Sequence, residues 1–275
     1  ERRLGVDLLL RDRVLLEERL VAREVDLGVL EQRAVLGELS LRLHELHLER
    51  ARVDLGGGSH GTVRGSGFGS AAAHGWNLVS SAEWVGTDGV PIVAREARGP
   101  VDIASDSDYR TGFVGGGYAR GVDSATIRVG HYHEDRGNGT PLQVNTTGWT
   151  QVSGAATAEG RGLWTGRVAA GRQSYYQTFT AVAADRRSER LTTAQDTPAR
   201  FVVSSGDWLC DCGSRVSLLA GGEVKRTSAT VDETRYAVNG VASGPFVSGG
   251  TETTVAAFTH VRVPMARGTV LLGLR

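Results

Sequence analysis

Residues 123–172 read DSATIRVGHYHEDRGNGTPLQVNTTGWTQVSGAATAEGRGLWTGRVAAGR, and this stretch decides the fold. In its first part, apolar residues such as Ile127 and Val129 alternate with polar residues such as Arg128. Alternation with a period of two is typical of a β-strand that has one apolar and one polar face. The same alternation returns twice before the stretch ends. We therefore expect three antiparallel strands, at 124–134, 149–158 and 162–173.

The connections between these strands differ in length. Residues 159–161 (Glu-Gly-Arg) form a tight corner, whereas 134–149 is rich in Gly, Asn and Thr and is predicted to be a long loop. The remainder of the chain repeats this asymmetry, with long segments predicted at 88–106, 135–147, 174–198 and 229–249. Further strands are expected at about 62–71, 76–87, 107–119, 199–210, 214–228, 250–263 and 268–275.

Long strands that are joined alternately by short turns and long loops are typical of a transmembrane β-barrel. The chemistry of the two strand faces also indicates a barrel. Leu218 and Val224 alternate with Glu223 and Lys225, so that one face suits lipid and the other a water-filled lumen. The predicted strand ends also carry the tryptophans that an interfacial aromatic girdle requires. These are Trp76, Trp84, Trp149, Trp164 and Trp208.

Composition limits the other classes of function. The chain has 275 residues and a formal net charge of zero, so no bulk electrostatic attraction to nucleic acid is expected. It has no apolar run long enough for a transmembrane helix. It opens with Glu-Arg-Arg, without a signal peptide or an initiating Met, and we expect its natural N-terminus to lie upstream.

Residues 1–55 differ from everything that follows, since they lack aromatic residues and are rich in Leu, Arg and Glu. These are good helix formers, and the segment is predicted to be an N-terminal helical segment of one or two amphipathic helices. The abrupt change in composition leaves a second interpretation open, namely that the segment is not native sequence. The second region, 56–275, is predicted to be the partial barrel.

Several runs in this second region resemble the barrel of bacterial TonB-dependent outer-membrane receptors. They are EWVGTDGVPIVAREARGPVD (83–102), SDYRTGF (107–113), HYHEDRGNGTPLQVNTTGW (131–149), RYAVNG (235–240) and GPFVSGGTET (244–253). The resemblance covers roughly residues 60–275. It implies a 22-stranded barrel around a plug domain in the bacterial outer membrane. It also implies a short box that recruits a periplasmic energy-transducing protein, and uptake of a bulky nutrient such as a metal chelate (siderophore), cobalamin or a glycan.

The chain departs from this family in having no recognisable plug, no such box and about ten strands. The expected fold class is therefore all-β, an antiparallel up-and-down meander of about ten long strands that forms part of a transmembrane barrel. The function expected is that of a receptor fragment and not of an enzyme. The alternative is a soluble all-β, lectin-like binding module, in which the faces that carry Leu218/Val224 and Val255/Val261 would pack together in one dry core.

Candidate ligand contacts are the polar and aromatic residues of the predicted loops, because aromatic rings beside amide and guanidinium donors suit a chelate or a sugar. They are Arg136, Asn138, Asn145, Tyr175, Tyr176, Tyr236 and Asn239. No cofactor or metal is expected. Three groups contain metal-ligating residue types but lack the full ligand set of a metal site: His131/His133, Cys210/Cys212 and the aspartates Asp102, Asp106 and Asp108.

Overall fold

A computed structural model describes residues 47–211, 216–265 and 268–274, which fall almost entirely in one compact unit, Leu48–Arg275. Twelve strands and a short 3-10 helix (Arg95–Ala97) make up this part of the chain. The strands are β1 (His47–Gly57), β2 (Val63–Ala73), β3 (Trp76–Pro91), β4 (Ala104–Arg120), β5 (Asp123–Thr140), β6 (Gln143–Gly160), β7 (Gly162–Val182), β8 (Glu189–Asp196), β9 (Ala199–Asp211), β10 (Ser217–Tyr236), β11 (Ala242–Met265) and β12 (Gly268–Leu274).

All of these strands belong to one sheet in which chain neighbours are antiparallel sheet neighbours, apart from β8 and β9. One end of the sheet, here called the turn end, carries tight turns such as His74–Gly75, where both residues have positive φ as a type I′ hairpin turn requires. The opposite end, here called the loop end, carries the connections 58–62, 92–103, 141–142, 183–188 and 237–241.

Strands β8 and β9 share one position in the sheet, since both lie between β7 and β10. They form a single long strand that is interrupted at Thr197 and Pro198. Proline has no N–H to donate to a sheet ladder, which accounts for the interruption. Backbone hydrogen bonds still bridge the gap, because Thr197 donates to Tyr175 and the carbonyl of Pro198 accepts from Thr230.

The two faces of the sheet differ in chemistry, and the same face is apolar on each strand. Val129 lies opposite Val152, which lies opposite Ala170, which lies opposite Val202. The residues between them on each strand point to the other face, here called the polar face. The first face, here called the apolar face, carries a band of exposed apolar side chains, here called the apolar band. It includes Trp76, Leu78, Val114, Ile127, Val129, Val152, Val168, Val202, Val224, Val255 and Leu272.

Nothing covers this apolar band in the described part of the chain. Val224 and Val255, which a soluble sandwich would bury, are neighbours on adjacent strands of the same face and are 48% and 71% exposed. Within the described residues, the only buried hydrophobic side chain is Val101, at the loop end. The dry core expected of the lectin-like alternative is therefore absent from these residues, and that alternative is not favoured.

The prediction of long loops from composition is mostly wrong. Strands β5 and β6 continue to Thr140 and from Gln143, so that Pro141 and Leu142 alone connect them, and β10 and β11 extend in the same way towards 237–241. About ten residues suffice to cross a bilayer, whereas β5 has 18 and β11 has 24. Strand segments beyond the apolar band have polar residues on both faces, so their composition resembles that of a loop.

The helix predicted for residues 1–55 is wrong for residues 47–55. Residues 47–55 belong to strand β1, which pairs with β2, and the rest of that segment lies outside the described residues. The sequence patterning failed here because Leu, Arg and Glu favour helices only weakly and sheet pairing overrides such a preference. Among the residues that the structure describes, no helix has the length and apolar character needed to span a membrane.

The prediction that the tryptophans lie near strand ends is confirmed only for the three at the turn end. On the apolar face, the rings of Trp164 and Trp208 stack with centroids 5.7 Å apart, and Trp76 contacts Tyr118 at 5.0 Å. Trp149 is not at a strand end, because it lies inside β6. Its side chain points to the polar face, and that of the next residue, Thr150, points to the apolar face. Trp84 lies in the interior of β3, on the apolar face. The predicted strand ends were misplaced because the strands are longer than predicted.

Candidate functional site

A row of polar side chains crosses the polar face near the loop end. Each residue of this polar row lies directly opposite the next on the neighbouring strand, so the sheet register alone aligns them. Directly opposed side chains lie about 5 Å apart at their Cβ atoms, close enough to interact. The polar row consists of Arg136 on β5, Asn145 on β6, Gln177 on β7, Gln195 on β8 and Glu233 on β10. Arg235, two residues further along β10, extends the row through its hydrogen bond to Glu233.

Hydrogen bonds join the first half of the polar row. The Nε of Arg136 donates to Oδ1 of Asn145 at 3.2 Å, and Nδ2 of Asn145 donates to the hydroxyl of Tyr175 at 3.2 Å. That hydroxyl donates in turn to Oε1 of Gln177 at 2.9 Å. Asn145 is 6% exposed, and it uses both its acceptor and its donor, as a buried amide must.

The second half continues without a gap. Nε2 of Gln177 donates to Oε1 of Gln195 at 2.8 Å, and Nε2 of Gln195 donates to Oε2 of Glu233 at 2.6 Å. The guanidinium of Arg235 donates to the other oxygen of Glu233 and lies 4.7 Å from the ring centroid of Phe246. The hydrogen bonds from Gln195 and then from Arg235 lower the pKa of Glu233, which lies beyond the apolar band.

The polar row has exposed guanidinium groups at both ends and a half-buried centre. Arg136 and Arg235 are exposed, whereas Asn145 is buried and Gln177 and Gln195 are half-buried. The centre therefore fixes the geometry, while the two arginines retain N–H groups that point to solvent. Two positive charges and one negative charge leave the row with a net positive charge, which suits an oxygen-rich or anionic ligand.

A hollow of about 640 Å³ lies on the polar face, on the side of the row that leads towards the turn end. Trp149 and Phe201 supply aromatic surface, and Gln173, Lys225 and Thr227 supply polar groups. Phe201 packs over Gly171, where a Cβ would come within 2.6 Å of the ring. An aromatic hollow with a few polar groups is the usual lining of a small-molecule site.

The connections at the loop end are held together by charged side chains. Arg186 in loop 183–188 donates through Nε to Asp102 in loop 92–103 at 2.7 Å, and a second bond joins Nη2 to the other oxygen. The amide of Gly99 also donates to Asp102, at 2.7 Å. Glu189 accepts from Thr140 and from the amide of Leu142, which clamps the β5–β6 turn onto β8.

The structure brings together three of the seven predicted contact residues, namely Arg136, Asn145 and Tyr175, and it separates the others. Tyr176 lies opposite Thr146 on the other face of the sheet, and Tyr236 follows Arg235 on its strand and so also points away from the polar face. Asn239 caps its own turn by accepting from the amide of Val241. Asn138 lies near the end of β5 without a side-chain hydrogen bond to another described residue. The prediction that these seven occupy loops is wrong for all except Asn239.

Sequence reasoning missed Gln177, Gln195, Glu233 and Arg235. They lie in segments whose composition predicted loops, so no strand register was assigned to them. One available signal was the spacing of polar residues two apart, in Tyr175-x-Gln177 and Glu233-x-Arg235, which places both members on one face of a strand.

The histidines weighed as metal ligands have other partners. His131 shares a hydrogen bond with Thr150 at 2.9 Å, and His133 shares one with Asp135 at 3.0 Å. Asp102 is bound by Arg186. Across the described ranges, no three His, Cys, Asp or Glu side chains are grouped so that they could hold a metal ion. Cys210 is disulfide-bonded, and Cys212 lies outside the described residues.

Solved structures provide the comparison that decides the fold. The copper transporter OprC superposes with a TM-score of 0.64 at 12% sequence identity, over 83% of this chain and 36% of that chain. The described strands match part of the barrel fold of TonB-dependent receptors. At this identity the likeness concerns the fold alone. No protein-family model and no curated protein matches the sequence.

A second solved structure is also similar, but at a TM-score of 0.46 it supports no inference. The ferric yersiniabactin uptake receptor FyuA from Yersinia pestis aligns with a TM-score of 0.46 at 11% identity, over 77% of this chain and 38% of that chain. The chain thus spans little more than a third of these TonB-dependent receptor folds. By name, the first of these two proteins is a transporter and the second an uptake receptor.

Proposed function

We propose that this chain is part of the barrel of an outer-membrane receptor that binds a bulky nutrient and takes it up. The observation that carries the proposal is the single-layer sheet with an uncovered apolar band on one face and a hydrogen-bonded polar row on the other. Such a sheet is stable where hydrocarbon covers the first face and water wets the second. The outer membrane is accordingly the proposed location, and its lipid the first partner.

The ligand is proposed to bind on the polar face at the loop end. Arg136 and Arg235 supply guanidinium donors on either side of a preorganised amide and carboxylate centre, and the hollow beside Trp149 supplies aromatic surface. This combination favours an oxygen-rich ligand, such as a siderophore-type metal chelate or a glycan, with cobalamin as the third class considered. Energy for uptake is proposed to come from a periplasmic partner that binds the parent receptor.

The test is ligand binding by the chain folded in detergent micelles. Titration with a ferric chelate, cobalamin and an oligosaccharide, followed through tryptophan fluorescence, should give saturable binding for one class. Replacing Arg136 or Arg235 by Ala should weaken that binding by about tenfold or more, the usual effect of losing a hydrogen bond to a charged group. Arg190→Ala removes an exposed arginine of β8 that lies away from the row, and it should bind like the parent chain.

Two results would contradict the proposal. One is equal weakening by Arg190→Ala and Arg136→Ala, which would indicate nonspecific charge attraction. The other is recovery of the chain from cells in the soluble fraction, folded and monomeric without detergent, because the apolar band could not then face lipid.

A further inference from the structure

An arginine cluster stands on the apolar face at the point where the apolar band ends. Arg172 on β7 lies directly opposite Arg200 on β9, and Arg200 lies opposite Ser228 on β10. Arg226 precedes Ser228 by two residues and so shares that face. Directly opposed side chains are about 5 Å apart and diagonal ones about 7–8 Å apart, so the three guanidinium groups can meet around one small anion.

This arrangement is unfavourable for the protein alone. Like charges that are directly opposed on neighbouring strands destabilise a sheet. All three arginines are exposed, and within the described part of the chain none of them forms an ion pair or a side-chain hydrogen bond. The carboxylates of Asp196 and Asp232 on the same face lie about 13 Å further along their strands, too far to neutralise the cluster.

The surface beneath the arginine cluster is apolar. A groove of about 690 Å³ is lined by the three arginines and by Val152, Ala170 and Val202, which belong to the row of the apolar band next to the cluster. Val152 and Val202 are 41% and 52% exposed. An occupant that fills this groove therefore needs a negatively charged head against the arginines and a hydrocarbon tail against the valines.

We propose that the arginine cluster binds the phosphate group of an anionic membrane lipid whose acyl chain lies along Val152 and Val202. Guanidinium groups bind phosphate oxygens in a bidentate manner, and their long stems can rest on apolar surface while the charge stays at the headgroup level. The assignment goes beyond the proposed uptake function and uses the other face of the sheet. It rests on the proposal that the apolar band faces lipid.

The experiment measures lipid retention by native mass spectrometry after the full chain, folded in detergent micelles, is incubated with phosphatidic acid or phosphatidylcholine. The parent chain should retain phosphatidic acid in preference to phosphatidylcholine. Replacing all three arginines of the cluster by Gln should reduce the retained phosphatidic acid by about tenfold or more. Replacement by Lys keeps the charge but loses the bidentate geometry, and it should give an intermediate value.

A matched control changes the same number of charges on the polar face, with Arg64, Arg128 and Arg262 replaced by Gln. It should retain phosphatidic acid like the parent chain. Three results would overturn the proposal. They are equal loss of phosphatidic acid from the control and the cluster variant, equal retention of the two lipids by the parent chain, and displacement of the bound lipid by millimolar inorganic phosphate. The Gln variant removes a repulsion, so circular dichroism should report it folded. If the parent chain does not enter micelles at all, the membrane proposal fails, and this assignment fails with it.

Discussion

Asn145 is the residue that binds the two halves of the polar row together. It is buried and accepts from Arg136 while it donates to Tyr175. Removing its amide deprives the Tyr175 hydroxyl of the donor on that side and deprives the Nε–H of Arg136 of its acceptor, which opens the centre of the row. A buried polar group that loses its partner costs about 1–3 kcal/mol.

We therefore expect Asn145→Ala to lower the free energy of unfolding by about 1–3 kcal/mol, as measured by urea titration of the chain in lipid vesicles. Asn77→Ala, at an exposed position of β3, serves as the control and should stay within about 0.5 kcal/mol of the parent chain. Equal effects of the two substitutions would mean that the row does not contribute to stability.

The ion pair between Asp102 and Arg186 should make the loop end sensitive to acid. The hydrogen bond from Arg186, together with that from Gly99, lowers the pKa of Asp102 from 3.8 to about 2. Because the pKa is lower in the folded chain than in the unfolded chain, the contribution of this carboxylate is complete above about pH 4 and is lost as the pH falls towards 2.

Hydrogen exchange of peptides from loop 92–103, corrected for the intrinsic rate at each pH, should show protection that decreases between about pH 4 and pH 2. Asp102→Asn should expose the loop at neutral pH. Asp185→Asn, in the partner loop, leaves the ion pair intact and should keep the protection. Protection that is independent of pH, or unchanged in Asp102→Asn, would show that other contacts hold the loop.

Among the elements, strand β7 shows how glycine serves packing between strands. Gly171 leaves space on the polar face for the ring of Phe201 on β9, whereas a Cβ at Gly166 of the same strand would meet nothing within 4 Å. Gly171→Ala should therefore force the ring aside and destabilise the chain by about 1–3 kcal/mol. Gly166→Ala should be neutral or slightly stabilising. Urea unfolding in vesicles compares the two, and equal losses would contradict this packing.

The strands illustrate what can be predicted from such a sequence. Segments that carry the apolar band, such as 124–134, were predicted correctly because apolar and polar residues alternate there. The ends of the same strands, such as 135–140, resemble loops in composition because polar residues occupy both faces outside the band. Strand β8 was missed for the same reason. The polar row depends on the register of five paired strands. Because the composition of these segments predicts loops, the sequence provides no register from which the row could be predicted.

At the scale of the whole molecule, the two faces should tolerate opposite changes. Val168 and Ala169 are neighbours on β7; the first is 53% exposed on the apolar band, and the second lies opposite Ser153 and Val203 on the polar face. Val168→Arg should destabilise the chain in vesicles by about 2–4 kcal/mol, as a charge near the bilayer midplane does. Ala169→Arg should cost less, because its side chain reaches water. A larger loss for Ala169→Arg would reverse the assignment of the faces.

The most direct test of the account uses the native tryptophans as reporters of what each face contacts. Variants that retain a single tryptophan, Trp164 or Trp208 on the apolar face and Trp149 on the polar face, would be folded into vesicles that contain brominated lipid. We expect the lipid to quench the fluorescence of Trp164 and Trp208, and aqueous iodide to quench that of Trp149. The opposite result would contradict this assignment of the faces: brominated lipid would leave the fluorescence of Trp164 and Trp208 unchanged and would quench that of Trp149.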